Sequence, residues 1–387
     1  MTPTQSPVVN PLFCGHKKNL QPIDEALELR YFDFNRQMGK AEIEAIQQAM
    51  PLTGCCGAPD HEVAQNENFS YSILCPKGKN RFSEAIVLLH GLNERSWEKY
   101  LPWAEALVRH TGKSVILFPI AFHMNRSPQS WTHPRSVQPW LEQRREQWPQ
   151  LEAGSFLNLA LSSRLSEIPL RFYTSGRETL YNLWQLFADI RSGMHPLFHF
   201  GSSLDIFAYS IGGLLSQIFL YANPHHLPHH SRLFIFCGGS IFSHMDGTAR
   251  DIMDREAFRR IYRYYIHDFF DDDVRRNAPE AYKDDFLEHA FKMMIRPDME
   301  KQARETFFST ARDRIRIVSL RQDSVMPCEG VQAALGPVAA AHIAQDWDFP
   351  YSYSHQNPFP KDSPASPEAS VKASFDRLFR YAGDFLA

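Results

Sequence analysis

The sequence has no apolar run approaching the roughly 18 residues that a helix needs to cross a bilayer, so no membrane span is expected. Its opening, Met1-Thr-Pro-Thr-Gln-Ser-Pro7, has neither a charged n-region nor an apolar h-region. That leaves no expectation of a secretory signal, and the expected location is cytoplasmic. Six cysteines are scattered at Cys14, Cys55, Cys56, Cys75, Cys237 and Cys328, and no two have C-x-x-C spacing. A chain of 387 residues needs no disulfide staples, so reduced structural thiols are expected. Redox or metal chemistry at the vicinal Cys55-Cys56 is the alternative. Net charge is also lacking: the formal value of −3 gives no reason to expect a nucleic-acid or anionic-membrane partner. There is no internal repeat.

What is present is an ordinary globular composition, 43% apolar and 22% charged, long enough for one large α/β domain with insertions or for two domains. Residues 1–68 read as a polar, proline-containing lead-in with a helical stretch near 36–50. From residue 69 onward the pattern becomes regular. Segments 69–75, 85–89, 114–118, 206–209, 233–237, 315–320 and 342–348 read as strands, several of them short continuous apolar runs typical of burial on both faces. A helix opens at Pro102 and stops at Gly112. Ser175-Gly-Arg-Glu178 has capping-box spacing ahead of Leu180, Leu183, Phe187 and Ile190 at helical intervals. Another helix carries Leu214, Ile218 and Ala222 and stops at Asn223-Pro224. Ser366-Pro-Glu opens the last one, with Val371, Phe375 and Leu378 facing inward. Strands alternating with helices imply a mainly parallel, doubly wound sheet with helices on both faces. Residues 121–174, rich in Trp, Pro, Arg and Gln, are too long for a plain connection and read as an insertion, and 244–310 read as a charged helical segment.

The run Leu204-Asp-Ile-Phe-Ala-Tyr-Ser-Ile-Gly-Gly213 is the most informative stretch. An apolar strand meets Ser210, then two glycines, then an apolar helix. That is the layout of a nucleophile elbow, a turn so tight that the residues flanking the serine must be small. Ala208 stands where the G-x-S-x-G pattern has its first glycine, and Gly212 where it has its last. A serine hydroxyl needs a base to take its proton, and the base needs an acid to hold its tautomer. Asp323 follows the 315–320 strand, and His355 lies in a loop after the last strand. Both lie past the carboxyl ends of strands, where open α/β sheets build their sites. His342 is the rival base. Asp246, Asp346 and Asp348 are the rival acids.

The order Ser210, Asp323, His355 resembles the α/β-hydrolase superfamily over roughly residues 70–387, including its uncharacterised bacterial members. His90-Gly91-Leu92-Asn93 matches the place where that superfamily starts its oxyanion loop. The resemblance implies an oxyanion hole made by the amides of Leu92 and Ile211, with His90 fixing the loop. It implies a core of 69–243 and 311–387 and a helical cap over 244–310. It also implies a serine hydrolase acting on a small-molecule acyl substrate without cofactor or metal, by default a carboxylic ester. Peptidase, thioesterase and acyltransferase chemistry need the same three residues, and a non-catalytic binding protein on the same scaffold is the rival of another class. Asn93 and Tyr209 are expected to line the substrate site. His123 and Arg126, with Asn125, either reach substrate or fix the insertion. The histidine-rich 225–230 reads as a solvated loop, and Tyr262, Tyr264 and Tyr265 as packing. Asp271–273 lacks the rest of a calcium loop.

Overall fold

The computed structural model describes residues 20–51, 59–271, 285–361 and 364–387. Cys14, Cys55, Cys56, Asp272 and Asp273 lie outside them. Among the described residues, nine strands form one sheet: β1 Leu20–Pro22, β2 Leu27–Asn35, β3 Asn68–Pro76, β4 Phe82–Leu89, β5 Ser114–Leu117, β6 Phe198–Tyr209, β7 Leu233–Phe236, β8 Ile315–Leu320 and β9 Ala344–Trp347. Their spatial order is β1-β2-β3-β5-β4-β6-β7-β8-β9. The pairs β1/β2, β2/β3 and β3/β5 are antiparallel, and every later pair is parallel. This mixed edge on an otherwise parallel, twice-reversing sheet is the α/β-hydrolase fold.

The strand period of two explains why the parallel strands are apolar on both faces. Along β6, Leu204, Ile206 and Ala208 enter one core cluster, while Phe207 and Tyr209 enter the other. The first cluster is covered by the helices Lys40–Ala49, Leu170–Arg191 and Ile211–Ala222. The second is covered by Leu101–Thr111 and Glu368–Leu386, which pack on each other. Among the described residues no helix is long and apolar enough to cross a membrane.

Three local expectations change. The lead-in holds β1 and β2, because Leu27, Leu29, Phe32 and Phe34 can be buried against β3 and the two cores. The capping box at Ser175 does not start a helix. That helix already begins at Leu170, directly after Pro169. Ser175 Oγ instead donates back to the Phe172 carbonyl (3.1 Å), and Glu178 is fully buried in an ion pair. Finally, His342 is not on a strand: it is exposed on the helix Pro337–Ile343, ahead of β9. The insertion carries two helices of its own, Pro134–Gln147 and Leu159–Glu167.

Candidate active site

Ser210 sits between the last residue of β6 and the first of the helix Ile211–Ala222, with φ 56° and ψ −123°. A positive φ on a non-glycine residue costs free energy and persists only where the surroundings enforce it. The enforcement is steric. A Cβ on Gly212 would lie 2.8 Å from the Leu89 carbonyl oxygen, and one on Gly238 would lie 2.8 Å from that of Ser210. Glycine at both positions lets the helix start press against the ends of β4 and β7.

Three side chains from three strand ends meet there. Ser210 Oγ is 2.7 Å from His355 Nε2, and His355 Nδ1 is 2.7 Å from Asp323 Oδ2. A carboxylate can only accept, so Nδ1 carries the proton and Nε2 is free to accept from the serine hydroxyl. The other carboxylate oxygen of Asp323 accepts the amides of Val325 and Met326, each at 2.9 Å. All three residues are buried. The rival groups are engaged elsewhere: Asp246 accepts the Thr248 amide, Asp346 pairs with Arg321, and Asp348 accepts from the Tyr353 hydroxyl.

The loop after β4 forms the other side. Ile211 is the first residue of its helix, so its amide has no acceptor within that helix. Leu92 and Ser210 both line a cavity of about 270 Å3. His90 is wholly buried and neutral: its Nδ1–H donates to the Gly91 carbonyl (2.7 Å), and its Nε2 accepts the Ile120 amide (2.9 Å). Burial, helped by nearby cationic groups, holds its pKa well below 6.5. Beneath the loop, the Gly91 amide donates to the Tyr100 hydroxyl (2.9 Å), which donates to Glu94 (2.8 Å), and Glu94 also pairs with Lys99.

The expected substrate residues divide. Asn93 and Tyr209 line the cavity with Ser210. Asn93 has φ 63° and spends its amide hydrogens on the carbonyls of Leu157 (2.7 Å) and Asp251 (2.9 Å). The hydroxyl of Tyr209 donates to the His355 carbonyl, and its ring stacks on the imidazole at 5.5 Å. Arg126 is not at the cavity. It is fully buried, 3.2 Å from Glu178, and donates to Asn66 and the Pro119 carbonyl. Burial lowers its pKa to about 9. His123 packs on His90 at 5.3 Å and lines a larger cavity of about 1380 Å3 that shares residues 92–96 with the first. Burial lowers its pKa to about 4. Asn125 donates to the Ser70 carbonyl (2.7 Å). Of His123, Asn125 and Arg126, then, none lines the cavity that holds Ser210.

Sequence reading missed Glu94, Arg95, Lys99, Leu157, Asp251 and Gln356, all of which line that cavity. The charged run Glu94-Arg-Ser-Trp-Glu-Lys99 after the His-Gly pair was the available signal for the first three. The 225–230 loop is held by Asn223, which lies 3.3 Å from both His226 and His229. No cluster of three metal-ligating side chains occurs among the described residues. Tyr265 is buried and donates to the Pro169 carbonyl (2.8 Å).

Curated proteins include no sequence match. Several solved structures resemble this chain loosely. An S-formylglutathione hydrolase from Agrobacterium tumefaciens is 12% identical, with 96% of this chain and all 100% of that chain covered and a TM-score of 0.47. Carboxyl esterase 2 from Tuber melanosporum is 9% identical, covering 83% and 84%, with a TM-score of 0.43. A bacterial heroin esterase is 12% identical, covering 92% and 84%, with a TM-score of 0.42. Residues 16–387 match DUF6051, described as a family of unknown function, and the chain belongs to that family.

Proposed function

We propose that this protein is a serine hydrolase that cleaves acyl bonds, by default carboxylic esters, through an acyl-enzyme at Ser210. The observation that carries the reading is the unbroken hydrogen-bonded row from Ser210 through His355 to Asp323. In the proposed reaction, Ser210 Oγ attacks the acyl carbonyl carbon while His355 Nε2 takes the hydroxyl proton. Asp323 stays ionised and stabilises the imidazolium. The amides of Leu92 and Ile211 hold the oxyanion, a pair of donors each worth about 10²–10³ in rate in comparable sites. Collapse expels the leaving group, which takes the proton from His355. Water then gives a proton to His355 and attacks the acyl-serine, releasing the acid and restoring Ser210.

In this reading residues 244–310 act as a cap and, with the 121–174 insertion, roof the reaction and exclude water. Support comes from Leu157 of the insertion and from Asp251 and Ile252 of the other segment, which line the Ser210 cavity. Thioesterase, peptidase and acyltransferase variants differ only in the leaving group or the acceptor.

The test is covalent labelling with a small fluorophosphonate. One adduct on the wild type and none on Ser210→Ala is the expected result. A folded wild type that takes no label sinks the hydrolase reading and leaves a binding scaffold. Label that persists in Ser210→Ala moves the nucleophile elsewhere.

A further inference from the structure

Residues 155–158 form a short strap beside the Ser210 cavity, and the way it is fastened is the feature to explain. Asn93 gives its amide hydrogens to the Leu157 and Asp251 carbonyls. Arg95 gives its guanidinium to the carbonyls of Phe156 (3.2 Å) and Leu157. On the roof itself, Ser155 Oγ donates to the Arg250 carbonyl (2.6 Å) and Asn158 Nδ2 to the Ala249 carbonyl (3.2 Å). The oxyanion loop, the strap and the 249–251 segment are therefore tied at one knot.

Asn93, Arg95, Leu157 and Asp251 of the knot line the Ser210 cavity, which has a volume of about 270 Å3. That lies below the usual 300–1,000 Å3 of small-molecule sites. Its apolar lining consists of Leu92, Leu157, Tyr209 and Ile252, with polar groups beside them. Asn93, Glu94, Arg95, Lys99, Asp251 and Gln356 stand among its lining residues. A long alkyl chain laid against them would strip water from charged and amide groups and return no hydrogen bond. The Arg95 guanidinium is already partly desolvated: burial lowers its pKa, and the charge of Asp251 opposes that shift.

Resting on the hydrolase reading above, we infer that Asn93 and Arg95 set the substrate class: by pinning the strap they restrict the reaction at Ser210 to esters or thioesters of short acyl groups and exclude long aliphatic chains. The two residues are specificity determinants that work through the strap.

The experiment compares p-nitrophenyl alkylphosphonates with methyl, butyl and octyl groups, reading p-nitrophenolate release and the adduct at Ser210 by mass spectrometry. Ser210 Oγ bonds to phosphorus as p-nitrophenolate leaves, so no turnover is needed. The methyl reagent is expected to inactivate at least ~10-fold faster than the octyl one, as a pocket contact of this kind discriminates. Arg95→Ala, or Asn93→Ala if the first variant does not fold, is expected to raise the octyl-to-methyl rate ratio several-fold. An octyl rate equal to or above the methyl rate in the wild type would overturn the inference and place the chain in the larger cavity that shares residues 92–96. A wild type that prefers methyl with ratios unmoved in both variants would overturn the role of the knot. Absence of any adduct at Ser210 is a different failure, that of the hydrolase reading itself.

Discussion

Lys99 stands over the ring of Tyr209, its ammonium 4.7 Å from the ring centroid, and so fixes the floor on which His355 rests. The same ammonium reaches the Gln356 carbonyl at 3.4 Å, while the Tyr209 hydroxyl holds the His355 carbonyl. Tyr209→Phe removes that donor and leaves a buried carbonyl without its partner, a cost of about 1–3 kcal/mol. The phosphonylation rate of Ser210 is expected to fall by about tenfold, since 1.4 kcal/mol is tenfold in rate. A variant with lowered thermal stability but an unchanged rate would reduce Tyr209 to packing.

Asp323→Asn tests the acid. The amides of Val325 and Met326 can still reach an amide oxygen, so the fold should survive, with circular dichroism unchanged. The rate should drop by about 10⁴, the loss expected when the histidine is held in the wrong tautomer. Asp246→Asn, Asp346→Asn and Asp348→Asn are each expected to leave the rate near that of the wild type, because none of these carboxylates bonds to His355.

Acid should weaken the fold over a defined window. Burial holds His123 and His195 at about 4 and His90 well below 6.5. Unfolding returns each to its ordinary value, so between pH 6.5 and 4 the unfolded chain binds more protons than the folded one. Stability from these groups is full above pH 6.5 and falls as pH drops, by about 1.4 kcal/mol per pH unit for each histidine. Urea midpoints at pH 7.5, 6 and 5 check this. His195→Gln, at a site that bonds Tyr71 and the Leu197 amide, should flatten the slope. A midpoint constant across the range would refute the neutral, buried state of these rings.

Arg126 offers a control on the extent of the site. Arg126→Met leaves Glu178 with Arg36 at 2.8 Å but breaks a wholly buried pair, which typically costs about 3–5 kcal/mol. The melting temperature should fall by several degrees. The Ser210 rate measured on the remaining folded protein should change by less than about twofold, as for any residue outside the reacting cavity. A strong rate loss at intact stability would return Arg126 to the substrate path.

The core strands and the three residues at their ends were legible because each depended on a local pattern. Continuous apolar runs mark strands buried on both faces, and Ser210, Asp323 and His355 lie where such runs stop. Strand β2 carries a different signature: Leu27-Glu-Leu-Arg-Tyr31 alternates apolar and polar residues, as in a strand buried on one face, and continuous apolar runs do not reveal it. Ser175 gives a false start for the Leu170–Arg191 helix, because a capping box and a buried Glu178 share one spelling. Only the presence of Arg126 and Arg36 in space separates the two. Pro169 was the better local signal. The roof contacts could not be read at all. They join residues far apart in the chain, and their acceptors are peptide oxygens, which carry no sequence signature.

That last property reaches further than legibility. Every bond of the knot at Asn93 and Arg95 ends on a main-chain oxygen of residues 156, 157 or 251. The hydrogen bonds of the attachment therefore use no side-chain atom at those three positions. Phe156 and Leu157 can be replaced one at a time, giving the Ser210 cavity new neighbours, while Asn93 and Arg95 keep their hold on the main chain. Anchorage and taste are encoded in different atoms of the same residues.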